Sequence, residues 1–392
     1  MQRIDLQGLP HPERAAPNAV PRLLLWGGGA RPLPAGMRRG YSTGSPADAS
    51  AVGCRETCLA YPNRLWRETM SVKLCVAGLT HGHVWGLIDT WADQPEVELT
   101  AVADSTPLLE KARARFQRAY DDWRMMLQTE QPDIVLACAD NRTSAQIAIA
   151  GLEAGAHVMV EKPMAADLTD AQAMWETAQR TGRLLMINWP TRWNPAYQAL
   201  FRRARAGEFG QIFEFRFRIG HAGPREIGCD PYFVEWLYDE HLNGGGALID
   251  FGGYGAVMAI DLLGMPESVL ATRGNFTKPY AISDDHAVLV LRYPRAVAVL
   301  EATWAQMGTD GAPNPIIYGT EATAGVLDGK LRIHRRGESP VMEEPEPLPV
   351  GERNPAEYFL RCIRENRAPE GVLSPEVSLQ AQAVLERAKL TT

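Results

Sequence analysis

The chain has 392 residues, of which 45% are hydrophobic and 22% charged, enough for two globular domains of ordinary soluble composition. Its formal net charge of -7 is spread along the sequence without a long basic run, and no window reads as an uninterrupted apolar span, so neither a nucleic acid nor a membrane is the expected partner. A small molecule is the ligand class that remains.

Residues 1–70 are rich in Pro, Gly, Arg and Ser and hold no helix or strand period, so they are expected to be a disordered or non-native extension. The run from Val20 to Gly29 is too short and interrupted for a signal peptide, and no hydrophobic stretch follows Arg38-Arg39. An organellar transit peptide would share the Arg-rich, acid-poor character but wants an amphipathic helix. Met70-Ser-Val-Lys-Leu opens the first convincing strand, so Met70 is expected to be the natural start. The six cysteines are scattered. Cys75 and Cys138 read as small hydrophobes in buried strands, and Cys54 and Cys58 lack a second pair at zinc spacing, which suits reduced thiols of a cytoplasmic protein.

From Val72 a regular alternation begins. Strands are expected at 72–77, 97–103, 133–138, 157–160 and 184–187, and helices at 83–92, 107–118, 143–154 and 168–181. Near-continuously apolar strands alternating with helices predict a doubly wound parallel sheet over 71–190. The rhythm then changes. A helix at 195–206 leads into "QIFEFRFRI" at 211–219, whose apolar/polar alternation marks a strand with one wetted face. Later runs at 268–276, 286–293, 296–304 and 316–319, with closing helices at 354–365 and 375–389, make 191–392 an α+β domain on one large, mostly antiparallel sheet.

In a doubly wound domain a dinucleotide's pyrophosphate lies over the first strand-to-helix turn. That turn here is "VAGLTHGHVWG". Gly78 matches the first glycine of Gly-x-Gly-x-x-Gly, Thr80 and His83 replace the other two, and Gly82 and Gly86 fall off register. Thr80 and His83 can donate to a phosphate; a plain tight turn is the alternative. His81-x-His83 as a metal site would need further ligands, and His221, His241 and Asp239-Glu240 have no characteristic zinc spacing to the pair, so no metal is expected. Asp104 ends the second strand 26 positions after Gly78, near the spacing of the acid that receives the adenosine ribose, which favours NAD over NADP; capping the next helix is its alternative.

Two stretches carry chemistry. In Val158-Met-Val-Glu161-Lys162-Pro163 a strand delivers a lysine at its carboxyl end, placed to orient a hydroxyl and stabilise developing alkoxide charge. In Gly244-Gly-Gly-Ala-Leu-Ile-Asp250-Phe-Gly-Gly-Tyr254 a triple glycine opens an apolar helix that projects Asp250 and Tyr254 from one face. A polar pair on such a helix is either satisfied internally or aimed into a pocket.

With these motifs in this order, the chain from about Val72 to Leu390 resembles the Gfo/Idh/MocA family of sugar and polyol oxidoreductases. The resemblance implies an N-terminal Rossmann domain binding NAD(P) and a C-terminal domain whose open sheet forms a homo-oligomer interface. It further implies that Lys162 contacts substrate and nicotinamide, that Glu161 beside it is a cofactor contact, that Asp250 binds substrate hydroxyls, and that Tyr254 occupies the acid-base position. Tyrosine there, where many members carry histidine, points to a pyranose-like substrate. An ammonium beside Tyr254 would lower its phenol pKa. The family's Thr-Pro-Asn-x-x-His after the fourth strand is here Ala139-Asp140-Asn141-Arg-Thr-Ser144, leaving Asn141 as the cofactor contact. Arg192 and Asn194 are candidate substrate contacts, with a helix-start turn as the equal alternative. Trp236 and Tyr238 are candidates for stacking on a sugar ring. The leading expectation is a cytoplasmic NAD-dependent dehydrogenase; a member using NAD transiently for epimerisation, elimination or glycoside cleavage, and a non-catalytic NAD- or sugar-binding relative, are the competing readings.

Overall fold

A computed structural model describes residues 71–308 and 311–390 of the chain; the N-terminal extension, the start at Met70, Cys54 and Cys58 lie outside these residues. The first sheet has six parallel strands in the order β3-β2-β1-β4-β5-β6: β1 Val72–Ala77, β2 Val97–Ala103, β3 Arg118–Tyr120, β4 Ile134–Ala137, β5 His157–Glu161 and β6 Leu185–Asn188. The helices between them are α1 Val84–Ala92, α2 Leu108–Arg113, α3 Trp123–Glu130, α4 Asn141–Glu153 and α5 Leu168–Thr181. β4 and β6 are buried at every position, as strands covered on both faces must be.

One segment departs from the expected pattern. The helix foreseen over 107–118 stops at Arg113, and Arg118–Tyr120 instead pairs with Ala101–Ala103 as an edge strand. Three half-exposed residues are too few to show a period. What anchors them is remote: the buried carboxylate of Glu130 takes the Arg118 Nε at 2.5 Å and the Tyr120 hydroxyl. Asp122 then starts α3 by accepting the Arg124 amide.

The second sheet has eight strands in the order β14-β13-β12-β11-β7-β10-β9-β8, with β7 and β10 parallel and every other neighbouring pair antiparallel. They are β7 Ile212–Gly220, β8 Ser268–Gly274, β9 His286–Arg292, β10 Val297–Thr303, β11 Ile316–Gly319, β12 Ala322–Leu327, β13 Lys330–Arg335 and β14 Val341–Glu343. In β7 the alternation holds: Phe215 and Phe217 are buried while Phe213 is exposed. Helices α6 Pro195–Arg205, α7 Pro231–Leu237, α8 Glu240–Asn243, α9 Ala247–Leu263, α10 Pro355–Glu365 and α11 Pro375–Lys389 complete the described chain.

Helix α9 packs on β7, β9 and β10 and against α11, with residues 247–260 all buried. Its start is set from a distance. Asp284 accepts the Leu248 amide at 2.7 Å and the Gly246 amide at 3.3 Å, and Arg273 balances its charge at 3.0 Å. A side chain at Gly246 would meet the Asp284 carbonyl at 2.0 Å, so only glycine permits this approach. The reading that no stretch has membrane-spanning character is corrected here: Glu240–Leu263 has the length and apolarity, but 83% of its apolar 18-residue window is buried inside the protein, as in a core helix.

Candidate active site

The site is built where the carboxyl ends of β1, β2 and β5 meet the start of α9. Past β1, Gly78 has φ +85°, and a Cβ there would lie 2.5–2.7 Å from Ala139, so this turn requires glycine. The next amide, Leu79, donates to Asp104 at the end of β2 at 2.6 Å, and Asp104 also accepts the Thr106 amide at 2.7 Å. Asp104 does not cap α2, whose N-cap residue is Pro107 without a side-chain bond. His83 stands at the N-cap of α1 and makes no capping bond, so the positive end of that helix faces the turn uncapped. Thr80 lies in the turn, and its carbonyl accepts the Trp236 indole N–H at 3.3 Å.

The two histidines are committed within the protein. His81, 1% exposed, accepts the His83 amide at Nδ1 (3.3 Å), so Nε2 carries the proton and donates to the Lys162 carbonyl at 3.2 Å. Burial, then His83 and Lys162, hold its pKa well below the usual histidine value. His83 Nδ1 lies 2.7 Å from Glu161 Oε1, while the other Glu161 oxygen accepts the Asn188 amide at 2.7 Å. Donor atoms of His81, His83 and Glu161 lie within 4.8 Å of one another, so the third metal-capable group is Glu161 rather than His221, His241, Asp239 or Glu240. As placed, the three hydrogen-bond to one another and to the Lys162 carbonyl, with a buried ammonium alongside, which is unfavourable for a cation.

Lys162 and Asp250, 3% exposed each, form an ion pair at 2.5 Å from Nζ to Oδ1. The second Asp250 oxygen accepts the Trp304 indole N–H at 3.0 Å. Burial alone would lower the Lys162 pKa, but Asp250, Tyr254 and Glu161 outweigh it and hold the ammonium above its usual value. Tyr254, one helical turn from Asp250, has its ring centre 5.2 Å from the Lys162 Nζ and meets Trp189 edge-to-face at 5.1 Å. Trp189 in turn donates to Ser378 on α11 at 3.0 Å. The expected lowering of the Tyr254 pKa is corrected. Lys162 does pull it down through charge and a hydrogen bond, but burial is the larger effect and raises the phenol above its usual range.

The remaining candidates each have partners within the protein. Asn141 is buried with its amide donating to the carbonyl and side-chain oxygens of Asn243 at 3.0 and 2.8 Å, which ties the turn after β4 to the glycine-rich start of α9. Arg192 pairs with Glu352 at 2.7 Å and lines a cavity of about 350 Å³ with Arg205, Asp261 and Arg367, where Lys162 and Tyr254 are not among the lining residues. Asn194 caps α6 through the Ala196 and Tyr197 amides, as the helix-start alternative has it. Trp236 is 4% exposed and packs beside His81, so it walls the turn instead of presenting a face to solvent. Tyr238 stacks on Tyr280 at 5.4 Å. Sequence reasoning missed Trp304 and Asp284. Trp304 had a signal, since Ala298, Leu300 and Ala302 point inward and it continues their parity; Asp284, in a loop, had none.

The first turn of a Rossmann sheet and the lysine at the end of its fifth strand meet Asp250 and Tyr254 of a second domain, the arrangement of a two-domain protein with a dinucleotide-binding fold. Residues 81–189 match the profile described as "Oxidoreductase family, NAD-binding Rossmann fold", and residues 197–325 match the GFO/IDH/MocA C-terminal domain. The chain belongs to the Gfo/Idh/MocA oxidoreductase family. It is 32% identical over 188 residues to D-glucoside 3-dehydrogenase of Escherichia coli strain K12, covering 47% of this chain and 51% of that one. It is 26% identical over 249 residues to levoglucosan dehydrogenase of Pseudarthrobacter phenanthrenivorans, covering 57% and 63%. The matches thus span between half and two thirds of these relatives. Aldose-aldose oxidoreductase from Caulobacter crescentus, solved with glycerol, shares the fold with a TM-score of 0.70 at 22% identity, over 82% of this chain and 97% of that one.

Proposed function

We propose that this chain is an NAD-dependent dehydrogenase of a cyclic sugar or polyol, acting on a ring CH–OH group. The observation that carries the reading is the buried Lys162–Asp250 pair with Tyr254 one turn further along α9. The residues present suit the cofactor. The Gly78 turn and the uncapped start of α1 can hold its pyrophosphate, and Asp104 its adenosine ribose; NAD, when bound, supplies a hydride acceptor. Lys162 Nζ orients the reacting hydroxyl and stabilises negative charge on its oxygen, while Asp250 keeps that ammonium charged. Tyr254 holds the mobile proton at its hydroxyl. Its raised pKa favours the neutral phenol as donor to a carbonyl in the reducing direction; in the oxidising direction Lys162 supports the phenolate that accepts the proton. The names of the two curated relatives, a glucoside and an anhydrosugar dehydrogenase, favour a pyranose ring.

The same reading includes assembly and compartment. On the outer face of the second sheet Leu270 is exposed and Val288, Val290 and Val299 are only half-covered, which supports a second copy docking there. Cys75, Cys138 and Cys362 are buried free thiols, which suits the cytoplasm. The test is to denature the purified protein and look for released NAD(H), then screen glucosides, anhydrosugars and inositols for NADH formation. Tyr254→Phe should lower turnover about 10²- to 10⁴-fold with NAD affinity unchanged. A fully active Phe variant refutes the acid-base assignment.

A further inference from the structure

We propose that His221 is a specificity-determining side chain of this site, donating a hydrogen bond from Nε2 to a substrate hydroxyl other than the one that reacts. The proposal rests on the sugar or polyol reading above. His221 follows directly on β7, whose last residue Gly220 pairs with Thr303 at the end of β10, one residue before Trp304. The backbone there is fixed on both sides: the His221 amide donates to the Thr303 carbonyl at 3.2 Å, and the His221 carbonyl accepts the Gln306 amide at 3.1 Å. Strand ends held in this way place a side chain more exactly than a free loop does.

The ring itself is oriented and its tautomer is set. Nδ1 accepts the Gly223 amide at 3.0 Å, which leaves the proton on Nε2. The imidazole meets Phe251 edge-to-face at 5.0 Å, and the same Phe251 ring lies 5.9 Å from the Lys162 Nζ, so His221 is one aromatic ring away from the reacting lysine. It is close enough to feel both members of the buried pair; burial and Lys162 outweigh Asp250 and keep the imidazole neutral. Among the described residues Nε2 has no hydrogen-bond partner in another residue, and His221 is half-buried.

A neutral imidazole fixed as a donor suits the lone pair of a hydroxyl or ether oxygen. It is a poorer match for a carboxylate or phosphate, which an arginine or ammonium would hold more strongly. When an analogue lacks that oxygen, the donor is left desolvated and unpaired, a penalty of about 10- to 100-fold in affinity. His221 therefore discriminates among sugars by position of hydroxyl, while Lys162 and Tyr254 carry the chemistry.

The experiment measures kcat and KM for the best sugar found in the screen and for each of its monodeoxy analogues, in the wild type, His221→Phe and His221→Gln. The wild type should prefer the parent sugar over one particular analogue by about 10- to 100-fold. His221→Phe should lose that one preference through a raised KM for the parent, with kcat nearly unchanged, and His221→Gln, which keeps an amide donor, should restore part of it. Equal losses for the parent and every analogue would show a structural effect and overturn the proposal while leaving the dehydrogenase reading intact. Absence of turnover on any sugar by the wild type overturns both.

Discussion

Replacing Asp250 with alanine should cost about 3–5 kcal/mol of stability, because it strands the Lys162 ammonium in a site where both side chains are 4% exposed. Lys162→Met should cost a similar amount, since Asp250 would then keep only the Trp304 indole N–H as its partner of opposite polarity. Removing both charges in Lys162→Met/Asp250→Leu restores an apolar contact, so the double variant should be more stable than either single one, with a coupling of about 3 kcal/mol. At about 2–4 °C per kcal/mol, each single variant should melt on the order of 10 °C lower. The pH dependence gives a second check. Burial is the largest single influence on Lys162 and Asp250 the largest opposing it, so in Asp250→Ala the Lys162 pKa should fall below its unfolded value near 10.4. Between those two values the unfolded chain binds more protons, so Asp250→Ala gains stability as pH rises toward 10 and loses it as pH falls. Urea and thermal unfolding of all four proteins at pH 7 and 9.5 give the cycle. Single-variant costs that simply add in the double variant would refute the buried coupled pair.

Gly78→Ala combines a φ of +85° with a Cβ 2.5–2.7 Å from Ala139, and should destabilise the fold and abolish NAD binding; a variant that melts with the wild type and titrates normally with NAD would contradict the geometry of the turn. His157 accepts the Leu184 amide at 3.0 Å, and its pKa is lowered to about 4 by burial and then by Arg183. Its contribution is constant above the unfolded value of about 6.5 and is lost as pH falls from there toward 4, by up to about 3 kcal/mol. His157→Gln keeps an acceptor and does not titrate, so its stability should fall less steeply over that window; unfolding curves that fall equally steeply would refute this.

What could be read from sequence was what local pattern encodes. The alternation of apolar runs and helices gave the first sheet, and the Glu-Lys-Pro and Gly-Gly-Gly-x-Leu-x-Asp stretches gave the pair that meets at 2.5 Å. Arg118–Tyr120 could not be read, because its strand exists only through pairing with β2 and through Glu130. The sign of the Tyr254 shift failed for a related reason: residue types announce an ammonium beside a phenol, but the depth of burial that outweighs it is a property of the packed chain. Arg192 and Asn194 had two readings of equal weight: the helix-start turn is present, with Asn194 capping α6, while the ion pair of Arg192 with Glu352, 160 residues away, had no local signal.

The contact between Asn141 and Asn243 has a mechanical consequence. It joins the two halves of the chain at the point where one supplies the cofactor turn's neighbour and the other the start of the helix bearing Asp250 and Tyr254. Both residues are buried, and Asn243 is itself held by the Leu237 and Gly245 carbonyls at 3.0 and 2.7 Å. Swinging one domain away from the other would expose or orphan these amides at about 1–3 kcal/mol for each group left unpaired. The two halves are therefore latched to one another at this contact, and opening one against the other carries that cost.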